Sequence, residues 1–276
     1  MSDTNYFDDT AAINPYMGGS EPIDKQQAHL EHQAIRTALE LANIAVKQIP
    51  APVGCQDGVY TANWALIYGQ KAIMARLPNA RQAEEAYAVA SLQALGKTIV
   101  QVPNNLRFSG QGDALPCGQY LFCGSHYRTD LAVHDILANE TGLEVVSLQT
   151  VPQIDSAGRP VTNSASGWPD SFFYDIDLAL AVIDPNLIAW CPEAFMPASQ
   201  EKIQALPIKK IEISLEEATE AFACNLVSTG QIIIMSAHAP RFKAELESRG
   251  LQVITPEIKE LAKGGGYIRC TTLTLS

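Results

Sequence analysis

GVYTANWALIYGQKAIMARLPNARQAEEAYAVASLQALGKTIVQVP, residues 58–103, decides how this chain is read. Apolar and β-branched residues flank a turn at Tyr68-Gly69, ARQAEEAYAVASLQALG is helix-forming and ends on a glycine stop, and KTIVQVP is extended again. The order is strand, strand, helix, strand. It recurs from Gly110, where ALPCGQYLFCG turns at Cys117-Gly118, RTDLAVHDILANETG has helical periodicity and LEVVSLQTV is extended. A third copy from Phe172 turns at Asp184-Pro185-Asn186 and continues into PASQEKIQAL and KKIEIS. A fourth from Phe222 turns at Thr229-Gly230, with APRFKAELESRG as its helix and LQVITPE as its last strand.

The remaining pieces lie at the two ends. A leading helix, IDKQQAHLEHQAIRTALELAN, with the strand IAVKQI lacks a hairpin in front of it, and the closing strand YIRCTTLTL lacks a helix behind it. Joined, they make a fifth unit. A repeat of roughly 45 to 60 residues marks a closed repeat architecture, and a unit shared by the two termini would close a ring with few free strand edges. The expected fold is therefore α/β, a five-bladed propeller of ββαβ units in one domain over residues 1–276. The most irregular stretch, residues 154–171, is expected to be a surface loop or lid over the site.

A formal charge of -11 argues against a nucleic-acid or anionic membrane partner, and a cationic small molecule fits better. No apolar run approaches the roughly 20 residues that span a bilayer. Six cysteines without a repeated short spacing, after a polar start with no apolar leader, suit a reducing cytoplasmic compartment with free thiols. No phosphate loop or metal-ligand spacing is present, so neither a cofactor nor a metal is expected. Self-association into a homo-oligomer is left open.

Chemistry concentrates where the repeats would meet. Cys270 follows Gly264-Gly265-Gly266 and is expected on a strand, sharing one face with Ile268 and Thr272, as a presented nucleophile. Asp175 and Asp177 are expected side by side on one face of the third hairpin, a costly pairing unless a cation lies between them. Asn14, Asp57, Asn63, Asp113 and Asn225 occupy matching places in the other units.

In this order INPYM, D-x-V-Y-x-x-N at Asp57–Asn63, G-x-G-D at Gly110–Asp113, R-T-D at Arg128–Asp130, CPEAF at Cys191–Phe195, ACN at Ala223–Asn225 and GGGYIRC at the end resemble the guanidino-group-modifying superfamily. That superfamily includes amidinotransferases, dimethylargininases and arginine dihydrolases. The resemblance implies a hydrolase of a carbon–nitrogen bond in an arginine-like guanidino or ureido compound. Cys270 would be its nucleophile, Asp57 and Asp177 would clamp the substrate nitrogens, Arg128 would hold its carboxylate, and Asn14 and Asn63 would add polar contacts. The family's catalytic histidine falls at Asp175 in this chain, and a carboxylate that usually precedes G-x-G-D falls at Ser109. Asp175 is then the expected proton carrier, with His126 the one substitute histidine. Amidino transfer and ligand binding without turnover are the rival outcomes.

Overall fold

The computed structural model describes residues 1–275. Its first hairpin shows how the repeat is written in sequence. Strands β1 (Ala65–Tyr68) and β2 (Lys71–Met74) pair antiparallel with Tyr68 opposite Lys71, leaving a two-residue turn. Gly69 takes φ +58 in that turn, a left-handed geometry that a side chain would resist and that matches the twist of the strands. Helix α2 (Ala83–Ala94) then returns the chain so that β3 (Thr98–Gln101) pairs parallel to β2. A parallel neighbour requires such a crossover.

The same three-stranded mixed sheet is built three more times. In the second, β4 (Ala114–Cys117) and β5 (Tyr120–Cys123) are followed by α3 (Leu131–Thr141) and β6 (Glu144–Ser147). The third contains β7 (Leu180–Asp184), β8 (Leu187–Trp190), α4 (Pro197–Ala205) and β9 (Lys209–Glu212). In the fourth, which follows the short helix α5 (Leu215–Glu220), β10 (Val227–Ser228) and β11 (Ile232–Ile234) precede α6 (Pro240–Ser248) and β12 (Gln252–Ile254). Central strands β5 and β8 are buried along their length, and Trp190, Phe122 and Ile188 anchor the packing around them.

The fifth unit departs from expectation. Among the described residues IAVKQI forms no strand beyond an isolated bridge between Ile49 and Ser2, and YIRCTTLTL forms no strand either. Residues 268–271 turn: Thr271 N–H donates to Tyr267 O at 3.2 Å and Thr272 N–H to Arg269 O at 3.0 Å. The two threonine hydroxyls bond back to Ile268 O and Arg269 O, each at 2.9 Å, so local side-chain bonds replace a ladder. Cys270 is therefore on a turn, and the expected sharing of a strand face with Ile268 and Thr272 does not hold.

The chain's two end regions nonetheless meet. Helix α1 (Lys25–Leu41) directs the buried Glu31 at the amides of Glu260 (2.8 Å) and Leu261 (3.0 Å), just ahead of the glycine run. Ala62 N–H donates to Cys270 O at 3.1 Å and Thr61 Oγ1–H to Thr271 O at 3.0 Å, tying the last turn to the first sheet. Residues 154–171 form a folded excursion closed by bridges Ile154–Pro160 and Thr162–Pro169, and Asn163 Nδ2–H reaches Ala12 O at 3.1 Å.

Glu31→Ala strands buried amides that no water replaces, so it should lower stability by about 2–4 kcal/mol, while Glu31→Gln, which keeps one acceptor, should lose about half as much. Urea denaturation measures both, and an unchanged midpoint for Glu31→Ala would contradict the tie.

Candidate active site

Short turns, not strands, carry the polar residues. Residues 61–64, 110–112 and 176–178 form single 3₁₀ turns directly ahead of β1, β4 and β7, and turns at Cys224-Asn225 and Arg269-Cys270 occupy the corresponding places farther along the chain. A 3₁₀ turn points neighbouring side chains in divergent directions, where a strand would send Asp175 and Asp177 the same way. That expected same-face strand pair is corrected. Asp175 instead caps its turn in extended geometry and reaches Asn63, while Asp177 reaches Cys270.

Cys270 is 2% exposed. Its N–H donates to Asn225 Oδ1 at 3.1 Å, Asn225 Nδ2–H donates to its Sγ at 3.1 Å, and its thiol faces Asp177 Oδ2 at 3.6 Å. One asparagine thus holds both the backbone and the sulfur. Burial pushes the Cys270 thiol well above its usual range, and the Asp177 carboxylate adds to that.

The carboxyls around it are likewise buried. Asp57 is pushed up to about 6 by burial, against the opposing pull of Arg81. Asp113, which accepts from Ile176 N–H at 3.0 Å, is pushed up to about 7 by burial and by Asp175. Burial also raises Asp175, and it raises Asp177 well above the usual carboxylate range with Asp175 as the next cause. Asp175 Oδ1 and Asp177 Oδ1 have no hydrogen-bond partner among the described residues. Such a wall holds protons more tightly than exposed carboxyls do, and a cation would weaken that hold.

Asp175 Oδ2 accepts from Asn63 Nδ2–H at 2.7 Å, and the same amide donates to Ser109 Oγ at 2.9 Å. Arg81 fixes which way that amide faces. Its Nη1–H donates to Asn63 Oδ1 at 2.8 Å, while its other donors take Glu84 at 2.7 Å and the carbonyls of Asp57 and Tyr60. Arg81 and Glu84 are both buried, and neither was singled out from sequence. The signal was an R-x-x-E spacing at the start of α2, which looks the same on an exposed helix face.

The glycine run makes room for protein groups. A Cβ on Gly264 would lie 2.1 Å from Tyr60 Oη, and one on Gly265, whose φ is +83, would lie 2.4 Å from Asn14 Oδ1. Asn14 Nδ2–H donates to Gly264 O at 3.0 Å, and Tyr174 Oη–H donates to Gly265 O at 2.5 Å. Arg128 lies 3.9 Å over the Tyr174 ring and donates to Ile13 O at 2.9 Å, with no carboxylate partner among the described residues. His126 is exposed and bonded to Ser125 Oγ at 2.8 Å, so it does not replace the missing histidine.

Comparison with known proteins gives the family. The N(G),N(G)-dimethylarginine dimethylaminohydrolase of Mycobacterium tuberculosis is 34% identical over 279 residues, covering 100% of this chain and 84% of that protein. The bifunctional arginine dihydrolase/ornithine cyclodeaminase ArgZ of Synechocystis sp. is 29% identical over 286 residues, and this chain spans 37% of its length. The solved N-terminal domain of ArgZ, covalently bound to a reaction intermediate, matches with a TM-score of 0.89 at 27% identity, over 100% of this chain and 96% of that one. These relatives are arginine-modifying hydrolases by name. A family model for N,N dimethylarginine dimethylhydrolase of eukaryotic type matches residues 4–276, so the chain belongs to that family, within the guanidino-group-modifying superfamily.

Proposed function

We propose that this chain hydrolyses a carbon–nitrogen bond of an arginine-like guanidino or ureido compound through a covalent adduct on Cys270. The observation that carries the reading is the buried thiol held by Asn225 and Asp177 among carboxyls whose proton affinity burial raises. A planar cation there supplies the missing charge. Asp57 and Asp177 clamp its nitrogens, Arg128 takes a substrate carboxylate, and Asn14, Asn63, Asp113 and Asn225 keep these groups in place. In the same reading the four sheets and the joined termini form a five-membered ring in one domain, and residues 154–171 act as its lid. The six unpaired cysteines suit a reducing, cytoplasmic setting.

Binding of the cation favours ionised Asp57 and Asp177 and lowers the Cys270 thiol. The thiol proton passes to Asp177, and the sulfur attacks the central carbon. The carbon–nitrogen bond breaks as the departing nitrogen takes a proton from Asp175. Water then adds to the carbon and returns a proton to Asp175, the sulfur leaves and recovers its proton from Asp177, and the protonated ureido product releases its extra proton to solvent. Asp175 stands where relatives of this superfamily carry histidine; its raised affinity for a proton supports the substitution.

The cost of holding Asp57 buried can be measured. Its folded pKa, about 6, lies above the unfolded value near 3.9, so the native state binds more protons between them and stability falls as pH rises through that window. Asp57→Asn should therefore be more stable than the parent at pH 8 by about 2–3 kcal/mol, with the difference vanishing near pH 4. The same variant should bind arginine-like cations at least about 30-fold more weakly. Equal denaturation midpoints at pH 8 would refute the linkage.

Cys270→Ser should abolish product and adduct when arginine, methylated arginines, agmatine and citrulline are followed by mass spectrometry. Asp175→Asn should remove most of the rate together with an ionisation above the usual carboxylate range. If Asp175→Asn leaves the rate intact and Asp175→His raises it, Asp175 is not the proton carrier. Tight binding of an arginine-like ligand by the parent, without product or Cys270 adduct, would establish a binding protein instead.

A further inference from the structure

A cavity of about 410 Å³ lies behind the nucleophile. At one end stand the hairpin turns at Cys117-Gly118, Asp184-Pro185 and Thr229-Gly230; Asp177 and Arg269 also line it, and neither Cys270, Asp57 nor Arg128 does. Its walls are mainly apolar, with Leu115, Leu180, Ile183, Leu226 and Val227 prominent among them. Apolar walls with a few convergent polar groups are the usual composition of a small-molecule site.

The polar end carries one guanidinium and one carboxyl with a free oxygen. Arg269 donates only to neutral oxygens among the described residues: Gln111 Oε1 at 3.1 Å, Thr274 Oγ1 at 3.3 Å and Thr272 O at 3.4 Å. All three contacts are long for a guanidinium, and among the described residues no carboxylate accepts from it. Asp177 is 1% exposed, and its Oδ1 has no hydrogen-bond partner among the described residues. Each group biases the other's protonation, yet Arg269 donates no hydrogen bond to Asp177 among the described residues. A guanidinium with neutral acceptors and a buried carboxyl that a cation would ionise suit a guest that carries both charges.

We propose that this cavity binds a zwitterionic α-amino acid with an aliphatic side chain. Its carboxylate meets Arg269, its ammonium meets Asp177, and its side chain lies along the leucine and isoleucine walls. A guest with no net charge also avoids repulsion from the acidic chain and from Asp184 at the turn end. Because Asp177 faces Cys270 on its other side, an occupant holds the carboxyl that the proposed hydrolysis uses and acts as an inhibitor. The inhibition rests on that proposed function; the binding does not.

The test is calorimetric titration of the full chain with L-leucine, 4-methylpentanoate and 3-methylbutylamine, which differ in which charged end they keep. L-Leucine should bind at least about 30-fold more tightly than either single-ended analogue, the loss expected when one partner of a buried charge pair is missing. Arg269→Met should remove leucine binding, and so should Val227→Trp, which fills the cavity from a half-buried wall position. Asp57→Ala should leave it, because Asp57 does not line the cavity. Absence of leucine binding, equal binding of 4-methylpentanoate, or binding that survives Val227→Trp would each overturn the site. Leucine binding lost in Asp57→Ala but kept in Arg269→Met would move it to the Cys270 pocket and overturn it as well. A parent that binds leucine yet forms no Cys270 adduct with any guanidine would leave this site standing and remove only the hydrolase reading.

Discussion

Burial raises a carboxyl's affinity for a proton, and this chain places Asp57, Asp113, Asp175 and Asp177 in its interior, where nearby arginines oppose that rise only in part. Burying them costs stability wherever they ionise, and it leaves their oxygens oriented by the surrounding structure. The fold holds those groups against their own preference for water. Sheets, turns and crossing contacts all serve that end.

Two supports stand out. The first is Arg81, whose guanidinium is spent on Glu84, two backbone carbonyls and the Asn63 amide, so that Asn63 can donate only toward Ser109 and Asp175. The second is the ring of contacts on the glycine run, in which Tyr60 Oη–H donates to Leu261 O, Tyr174 to Gly265 O and Asn14 to Gly264 O. Both act at one remove from the sulfur. Each turns a flexible loop into a fixed one, because buried hydrogen bonds to backbone carbonyls leave few alternative positions.

What the sequence made legible follows from the range of the forces involved. The four hairpins and their helices are encoded by local punctuation, with Gly69, Gly118, the Asp184-Pro185-Asn186 turn and Gly230 at the tips, and all four sheets form. The turns at residues 175–177 and at Cys270 look like strands in sequence because an alternation such as Tyr174-Asp175-Ile176-Asp177-Leu178 fits period two as well as it fits a 3₁₀ turn. Only contacts from other units separate the readings: Asn63 draws Asp175 one way and Cys270 draws Asp177 another. At the carboxyl end, Thr271 and Thr272 have strand-favouring side chains but spend their hydroxyls on nearby carbonyls. The structural role of Arg81 depends on Asn63, eighteen positions earlier, and no periodicity reports that pairing.

The hydrogen bonds that complete the pocket span most of the chain. Asn14 joins Gly264 across 250 positions, Glu31 joins Glu260 across 229, and Thr61 joins Thr271 across 210. The sheets, by contrast, close over short distances and can form early. Loop-closure entropy must be met before distant contacts return any stabilisation, so the pocket is expected to assemble after the sheets that surround it. Refolding should then separate into a faster gain of sheet structure and a slower burial of the turns around Cys270, with the two end regions the last parts of the molecule to find their place.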